Sequence, residues 1–388
     1  MRPTFPIDLA ATIAVTLAFT GLTSCDKVHE AVQTAQTEAA KLQEKAETEA
    51  KKLQDQAMQQ VEESSSAGSQ TAAAGNPAAA SEAAPASAGS APAASTFQLP
   101  AARPGKSGAQ VIAEFLALMP SERRDEHLLA LAALDPSDRE TIEILELQGS
   151  TVSSTGVAVL PQFPKLHTLD LDLVRLTEQD AAVVGTLQGL KRLELSYTQI
   201  TDVGLAHLAS LVLLQSLDLS GLQITGAGLE SLKDLTELKQ LSIPRTPLAG
   251  GELTVLRCLP KLKHLNVSHT MFAGGGDKAL RQLDDLETLI AVECGMDDRL
   301  LLQLKGANQL QVLRLSGNLV SDQSARTLSG FRALTELDLD STQVGDLTLA
   351  ALRRLDKLQT LNVGRTRCTP KGVADLQKVQ PDLQITYQ

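Results

Sequence analysis

The chain has no tryptophan, two tyrosines and seven phenylalanines among 388 residues. So thin an aromatic supply excludes the stacking platforms on which single-stranded nucleic acids are held. A surplus of positive charge is missing too: 35 Lys and Arg face 46 Asp and Glu, a formal net charge of −11. Phosphate backbones are gripped mainly by clustered Lys and Arg, so no nucleic-acid partner is expected. The four cysteines, Cys25, Cys258, Cys294 and Cys368, show no C-x-x-C spacing, which argues against a zinc site or a disulfide framework. Phosphate loops, nucleophile elbows and zinc-helix patterns do not occur, so the sequence predicts a non-catalytic protein with no cofactor and no metal.

What the chain has in abundance is leucine at a fixed spacing. The stretch 190–213, LKRLELSYTQITDVGLAHLASLVL, returns 24 residues later as LQSLDLSGLQITGAGLESLKDLTE. The first position of successive copies reads Ile142, Leu166, Leu190, Leu214, Leu238, Leu262, Leu286, Leu310, Leu334 and Leu358, without insertion or deletion. A period held this strictly marks a stacked solenoid, in which each unit buries its apolar residues against its neighbours. Within a copy, positions 4 and 6 (Leu193, Leu195) alternate as a short strand with one buried face. Position 11 (Ile200, Ile224, Val320, Val344) enters the core, and positions 16, 19 and 22 (Leu205, Leu208, Leu211) form a helical stripe. Asp202 and Gly204 suit the turn and helix entry between them. Strand, turn and helix in every copy predict one parallel sheet backed by helices, an α/β fold. Helices are about 10 Å wide and strands stack about 4.8 Å apart, so the strands line the concave side. Cys294 and Cys368 fall at buried positions three copies apart, roughly 14 Å at that spacing and out of disulfide reach.

The pattern L-x-x-L-x-L-x-x-(N/C/T)-x-(I/V)-T-D-x-G-L-x-x-L-x-x-L resembles the leucine-rich repeat family over residues 142–381. The segment Ile200–Leu205, ITDVGL, is similar to the subtype found in bacterial arrays and in the repeats of F-box proteins. Position 9 departs from the usual Cys or Asn, carrying Thr198, Thr246, Thr270, Thr342 and Thr366, and no F-box precedes the array. The resemblance implies a protein-binding solenoid; a role in ubiquitin transfer is not implied.

Before the array, residues 107–141 read as a helical cap. Ala109–Met119 has helical apolar spacing and stops at Pro120; Ser121 is placed to cap a second helix running to about Leu134. At the far end, Leu383–Tyr387 is expected to add an edge strand.

The N-terminal quarter has a different character. Arg2 precedes an apolar run from Leu9 to Leu22, too short to span a membrane comfortably and ending in Leu22-Thr23-Ser24-Cys25. This ending resembles the lipobox of bacterial lipoproteins. The resemblance implies a signal peptide over 1–24, acylation of Cys25 and attachment to a membrane of the bacterial cell envelope. Asp26 leans the expectation toward the periplasmic side of the inner membrane. From Val28 to Val61 there is no Gly or Pro, and apolar residues recur with a mean period near 3.67, so residues 25–63 read as an anchored helical stalk. That helix would be about 51 Å long, with a seam through which the chain could form a homo-oligomer. Residues 64–106 are mostly Ala, Ser, Gly and Pro, a linker that cannot offset its ordering entropy.

Candidate contacts lie at positions 3, 5, 7 and 8 of each copy, the concave face. Position 5 opens with Glu146, Asp170, Glu194 and Asp218, an acidic ladder suited to a basic protein partner. Ile290, Val292 and Val312 form an apolar patch farther along, and Arg192, Tyr197, Arg245, His264, His269 and Glu293 are residue types that often make contacts. These readings describe a membrane-anchored lipoprotein with a protein-binding solenoid. The alternative is a structural envelope protein acting through its stalk.

Overall fold

The computed structural model describes residues 106–248, 250–271 and 276–387. The expected signal peptide, Cys25 anchor, stalk and linker up to residue 105 lie outside the described residues. Among the described residues no helix is long and apolar enough to cross a membrane.

Eleven three-residue strands form one parallel sheet in sequence order. They are β1 (Ile144–Glu146), β2 (Thr168–Asp170), β3 (Arg192–Glu194), β4 (Ser216–Asp218), β5 (Gln240–Ser242) and β6 (His264–Asn266), followed by β7 (Thr288–Ile290), β8 (Val312–Arg314), β9 (Glu336–Asp338), β10 (Thr360–Asn362) and β11 (Gln384–Thr386). Neighbours pair at a shift of 24 residues, as Leu145 with Leu169 and Leu193 with Leu217. A one-residue slip would turn every core leucine outward, so the sequence period sets the register. Columns of leucine from each copy fill the interior, with Leu193, Leu195, Leu205, Leu208 and Leu211 fully buried. Replacing one of these by Ala would cost about 2–5 kcal/mol.

The backing layer is less helical than expected. Asp202–His207 and Asp346–Leu352 are α-helical, but Gly250–Cys258 and Leu302–Gly306 are tighter 3-10 turns. Their shortness follows from the period, which leaves few residues after strand and turn.

The Thr-Asp-x-Gly segment joins neighbouring copies. Asp202, at position 13, accepts hydrogen bonds from the Thr225 amide (2.7 Å) and Oγ1 (2.6 Å) of the next copy. Asp346 does the same for Thr369 (2.8 and 2.7 Å), and Asp298 for Ser321 (2.8 and 2.5 Å). Thr225 in turn caps the helix that follows it. In these copies position 15 then holds either a glycine or a hydroxyl: a Cβ on Gly228 would lie 2.2 Å from the Asp202 carboxylate, whereas Ser324 donates its hydroxyl to Asp298. Asp202 and Gly204 thus act across copies, beyond the local turn that their spacing suggests.

The cap consists of α1 (Gly108–Ala117), α2 (Asp125–Ala132) and the single turn α3 (Pro136–Arg139). Ser107 closes a capping box on α1. Ser121 does not cap the second helix: it lies in a 3-10 turn, Pro120–Glu122, and α2 begins only at Asp125. Between them, Arg123 is buried with its guanidinium 4.4 Å from the Phe115 ring, donating to the carbonyls of Glu146 and Leu118. The cap is thereby fastened to the first strand. The expected closing strand is present as β11, paired with β10.

Candidate functional site on the concave face

Each strand sends position 4 inward and positions 3 and 5 to the concave face, as in the exposed-buried-exposed pattern of β1. Position 5 has a local duty that explains its Asp and Asn. Asp170 accepts from the amide of Asp172 (3.0 Å), Asp218 from Ser220 (2.8 Å), Asn266 from Ser268 (3.1 Å), Asp338 from Asp340 (3.0 Å) and Asn362 from Gly364 (3.1 Å). These are Asx turns that bend the chain out of the strand. Position 9 completes the bend: the Thr198 hydroxyl donates to the Leu195 carbonyl at 2.9 Å, and Thr246, Thr270, Thr342 and Thr366 repeat this. Asn318 and Cys294 serve the same carbonyl in their copies, which accounts for the exchange of Asn, Cys and Thr there.

The acidic ladder is partly sunk. Glu146 is exposed, Glu194 and Asp218 are half-buried, and Asp170 is buried at 8% exposure, contrary to its expected role as an open contact. Asp170 is enclosed because Asp172 and Glu194 crowd beside it, with carboxylate oxygens of all three within 4.8 Å of one another. Burial, then the neighbouring carboxylates, push the Asp170 carboxyl up to about 6, although the Asp172 amide opposes the shift. Asp172 is raised as well, burial again leading. Arg192 pairs with Glu194 at the edge of the group, as its place at position 3 allows.

Position 8 forms a rim beside this floor. Leu173, Tyr197, Arg245, His269 and Glu293 all hold left-handed backbone, with φ between 49° and 61°, where Gly221 and Gly317 stand in other copies. Such a conformation costs a side-chain-bearing residue about 1–2 kcal/mol. Gly221 makes room for a bridge: a Cβ there would lie 2.5 Å from the Tyr197 ring. Tyr197 crosses that gap and accepts from Arg245 Nη1 at 3.1 Å, two copies away. His269 lies 3.5 Å from Glu293. Asp172, alone of the three carboxylates, joins this rim in lining an open groove of about 450 Å³, together with Tyr197, Ser220, Arg245 and His269. His264 is half-buried on β6 and does not line it.

The expected apolar patch is weaker than its composition suggests. Ile290, Val292 and Val312 are all half-buried, because neighbouring copies shield them. Cys294 is buried, and burial pushes its thiol up to about 11. Cys368, expected in the core, is half-buried, and Cys258 is exposed.

Near the other end, Glu336, Asp338 and Asp340 form a second acidic group. Arg314 pairs with Glu336 at 2.5 Å, and Arg365 with Asp340. The Arg365 guanidinium holds the Asp340 carboxyl below its ordinary range. The face therefore offers one acidic zone with a single paired arginine and one in which two of three carboxylates are paired with arginine.

Residues 164–224 match the family model for the leucine rich repeat. No curated protein matches the sequence. Among solved structures, internalin C2 from Listeria monocytogenes is 23% identical, over 55% of this chain and 84% of that one, with a TM-score of 0.42. A leucine-rich repeat protein of Leptospira interrogans is 17% identical, over 68% and 81% of the two chains, with a TM-score of 0.46. The Arabidopsis receptor kinase HAESA, solved with the peptide hormone IDA and the co-receptor SERK1, is 17% identical over 58% and 38%, with a TM-score of 0.44. With eleven strands in register at a 24-residue shift and the matched repeats among them, the fold of this chain is a leucine-rich repeat solenoid.

Proposed function

We propose that this protein is a bacterial envelope lipoprotein, anchored through Cys25, whose solenoid binds a basic segment of a protein partner in the N-terminal half of its concave face. The observation that carries the reading is the group Asp170, Asp172 and Glu194, three carboxylates together with Arg192 as their paired cation. Like charges so close repel, and a partner's Lys or Arg would relieve that repulsion. Tyr197 and Arg245 at the rim supply contact types enriched at protein interfaces.

Binding is tested with a labelled oligolysine peptide and an oligoglutamate control, measured by fluorescence anisotropy on the full-length protein. Preferential capture of oligolysine that Asp172→Asn weakens supports the reading; equal affinity for the two peptides sinks it. The anchor is tested separately by expression in a bacterium. Cys25→Ser should move the protein from the membrane pellet to the soluble fraction, and unchanged sedimentation would remove the lipid from the proposal.

A further inference from the structure

The cap leaves an apolar groove open at the N-terminal end of the sheet. It holds about 270 Å³ between α1 and β1, with Phe115 and Ile142 at its base and Ile112, Leu116 and Ile144 along its sides. Leu116 is 62% exposed and Ile144 50%, large apolar side chains facing water together. This is also the free edge of the sheet. The carbonyl of Glu143 and the amides of Leu147 and Gly149 bond to the second copy. The intervening residues Ile144 and Glu146 therefore turn their backbone groups outward. Arg123 already donates to the Glu146 carbonyl, which leaves the outward side of Ile144 facing the groove. An open edge beside apolar side chains is a ready site for an added strand.

The chain itself carries a segment of the right kind. Between Val61 and Val111 the only large apolar residues are Phe97 and Leu99, in Thr96-Phe97-Gln98-Leu99-Pro100. Their spacing of two would put both side chains on one face of a strand, and Pro100 would end it. The distance is also right. Pro100–Ser107 spans at most about 28 Å when extended, and the ten residues of α1 are about 15 Å long, so the segment can return alongside that helix. Lys106 already reaches along α1 to pair with Glu114 at 2.5 Å.

We propose that Phe97 and Leu99 dock in this groove, adding a short strand to the edge of β1 and completing the cap. The segment is part of the same molecule, so its effective concentration favours it over a separate partner. Docking would also set where the tether begins, at about residue 96 instead of at the first helix.

The absence of tryptophan makes the test direct, because Phe97→Trp introduces a single reporter. In the full-length protein its emission should be shifted to the blue of the urea-unfolded chain, with acrylamide quenching reduced several-fold. Adding Ile144→Glu, or Leu116→Glu as a second disruptor, should return both to the unfolded values while circular dichroism reports an intact solenoid. Emission already at the unfolded position in the native protein overturns the proposal. So does a blue shift that survives both disruptors, which would mean burial elsewhere, or one lost on dilution, which would mean a second copy fills the groove.

Discussion

Two acidic groups lie on one face of one solenoid, each built around an Asx turn with Asp at positions 5 and 7, and they differ in their counter-charges. Asp170 and Asp172 are held above the ordinary carboxylate range first by burial, to which Asp172, Glu194 and Glu146 add at Asp170, and Asp218 and Glu194 at Asp172. Asp340 is held below it, chiefly by Arg365. The repeat supplies the same Asx turn in both places, so the difference comes from the variable positions: Arg314 and Arg365 at one end, Arg192 alone at the other. A regular scaffold can thus carry a quieter acidic surface near one end and a less satisfied one near the other. On the proposed reading, only the less satisfied one recruits a cation.

The largest effect expected from this comparison is on binding. Asp172→Lys with Glu194→Lys should weaken oligolysine binding by at least about tenfold, equivalent to about 1.4 kcal/mol. The matched pair Glu336→Lys and Asp338→Lys should change it by less than about threefold, since two of that group's three carboxylates are already paired with arginine. Equal losses in an anisotropy titration would erase the distinction between the two ends.

Asp170→Asn should come next, as a gain in stability at neutral pH of about 1 kcal/mol, or about 2–4 °C in Tm for a domain of this size. The sign follows from linkage. The folded carboxyl titrates near 6 and its ordinary value is 3.8, so the folded protein holds the extra proton between those limits. Stability from this group is therefore greatest in acid and declines as pH rises through that window. Thermal melts of wild type and Asp170→Asn should diverge from pH 4 to 6; parallel curves would contradict the burial argument. Binding a cation favours the charged form, so complex formation near pH 6 should release protons, measurable by calorimetry in buffers of different ionisation enthalpy.

Arg365→Ala should make the distal group resemble the proximal one. Asp340 has a lowered folded value, so it contributes stability above 3.8 that is lost as pH falls through the folded value. Removing Arg365 should raise the Asp340 midpoint in a carboxyl NMR titration and make that end of the face a better ligand for oligolysine. An unmoved midpoint would show that the hydrogen bonds from Ser341, and not the guanidinium, set it. The smallest expected change is from added salt, which should weaken oligolysine binding to the proximal group by a few-fold between low and physiological ionic strength.

Much of this architecture was legible in the sequence, because the 24-residue shift states which residues stack and the alternation at positions 4 and 6 states which face is buried. The helical backing was legible only in outline: apolar spacing does not separate one turn of α-helix from a 3-10 turn. Ser121 misled because a good capping residue sits beside Arg123, whose buried contact with Phe115 and Glu146 holds the chain in another path. At the site, residue type identified the acidic ladder and the rim but not their depth. Asp170 and Ile290 are less open than their positions suggest, since curvature and neighbouring side chains decide exposure.

The sequence alone determined the solenoid, its register and the identity of its concave face, for these follow from periodicities that every copy repeats. The tertiary structure decided what no single copy contains: the Asp202–Thr225 link against which Gly228 packs without a Cβ, the Tyr197–Arg245 bridge across Gly221, and the acidic group on one side of which a counter-charge is scarce. Each depends on side chains from different copies meeting in space, where distance and burial, and not spacing along the chain, fix the energy of a charge or a hydrogen bond.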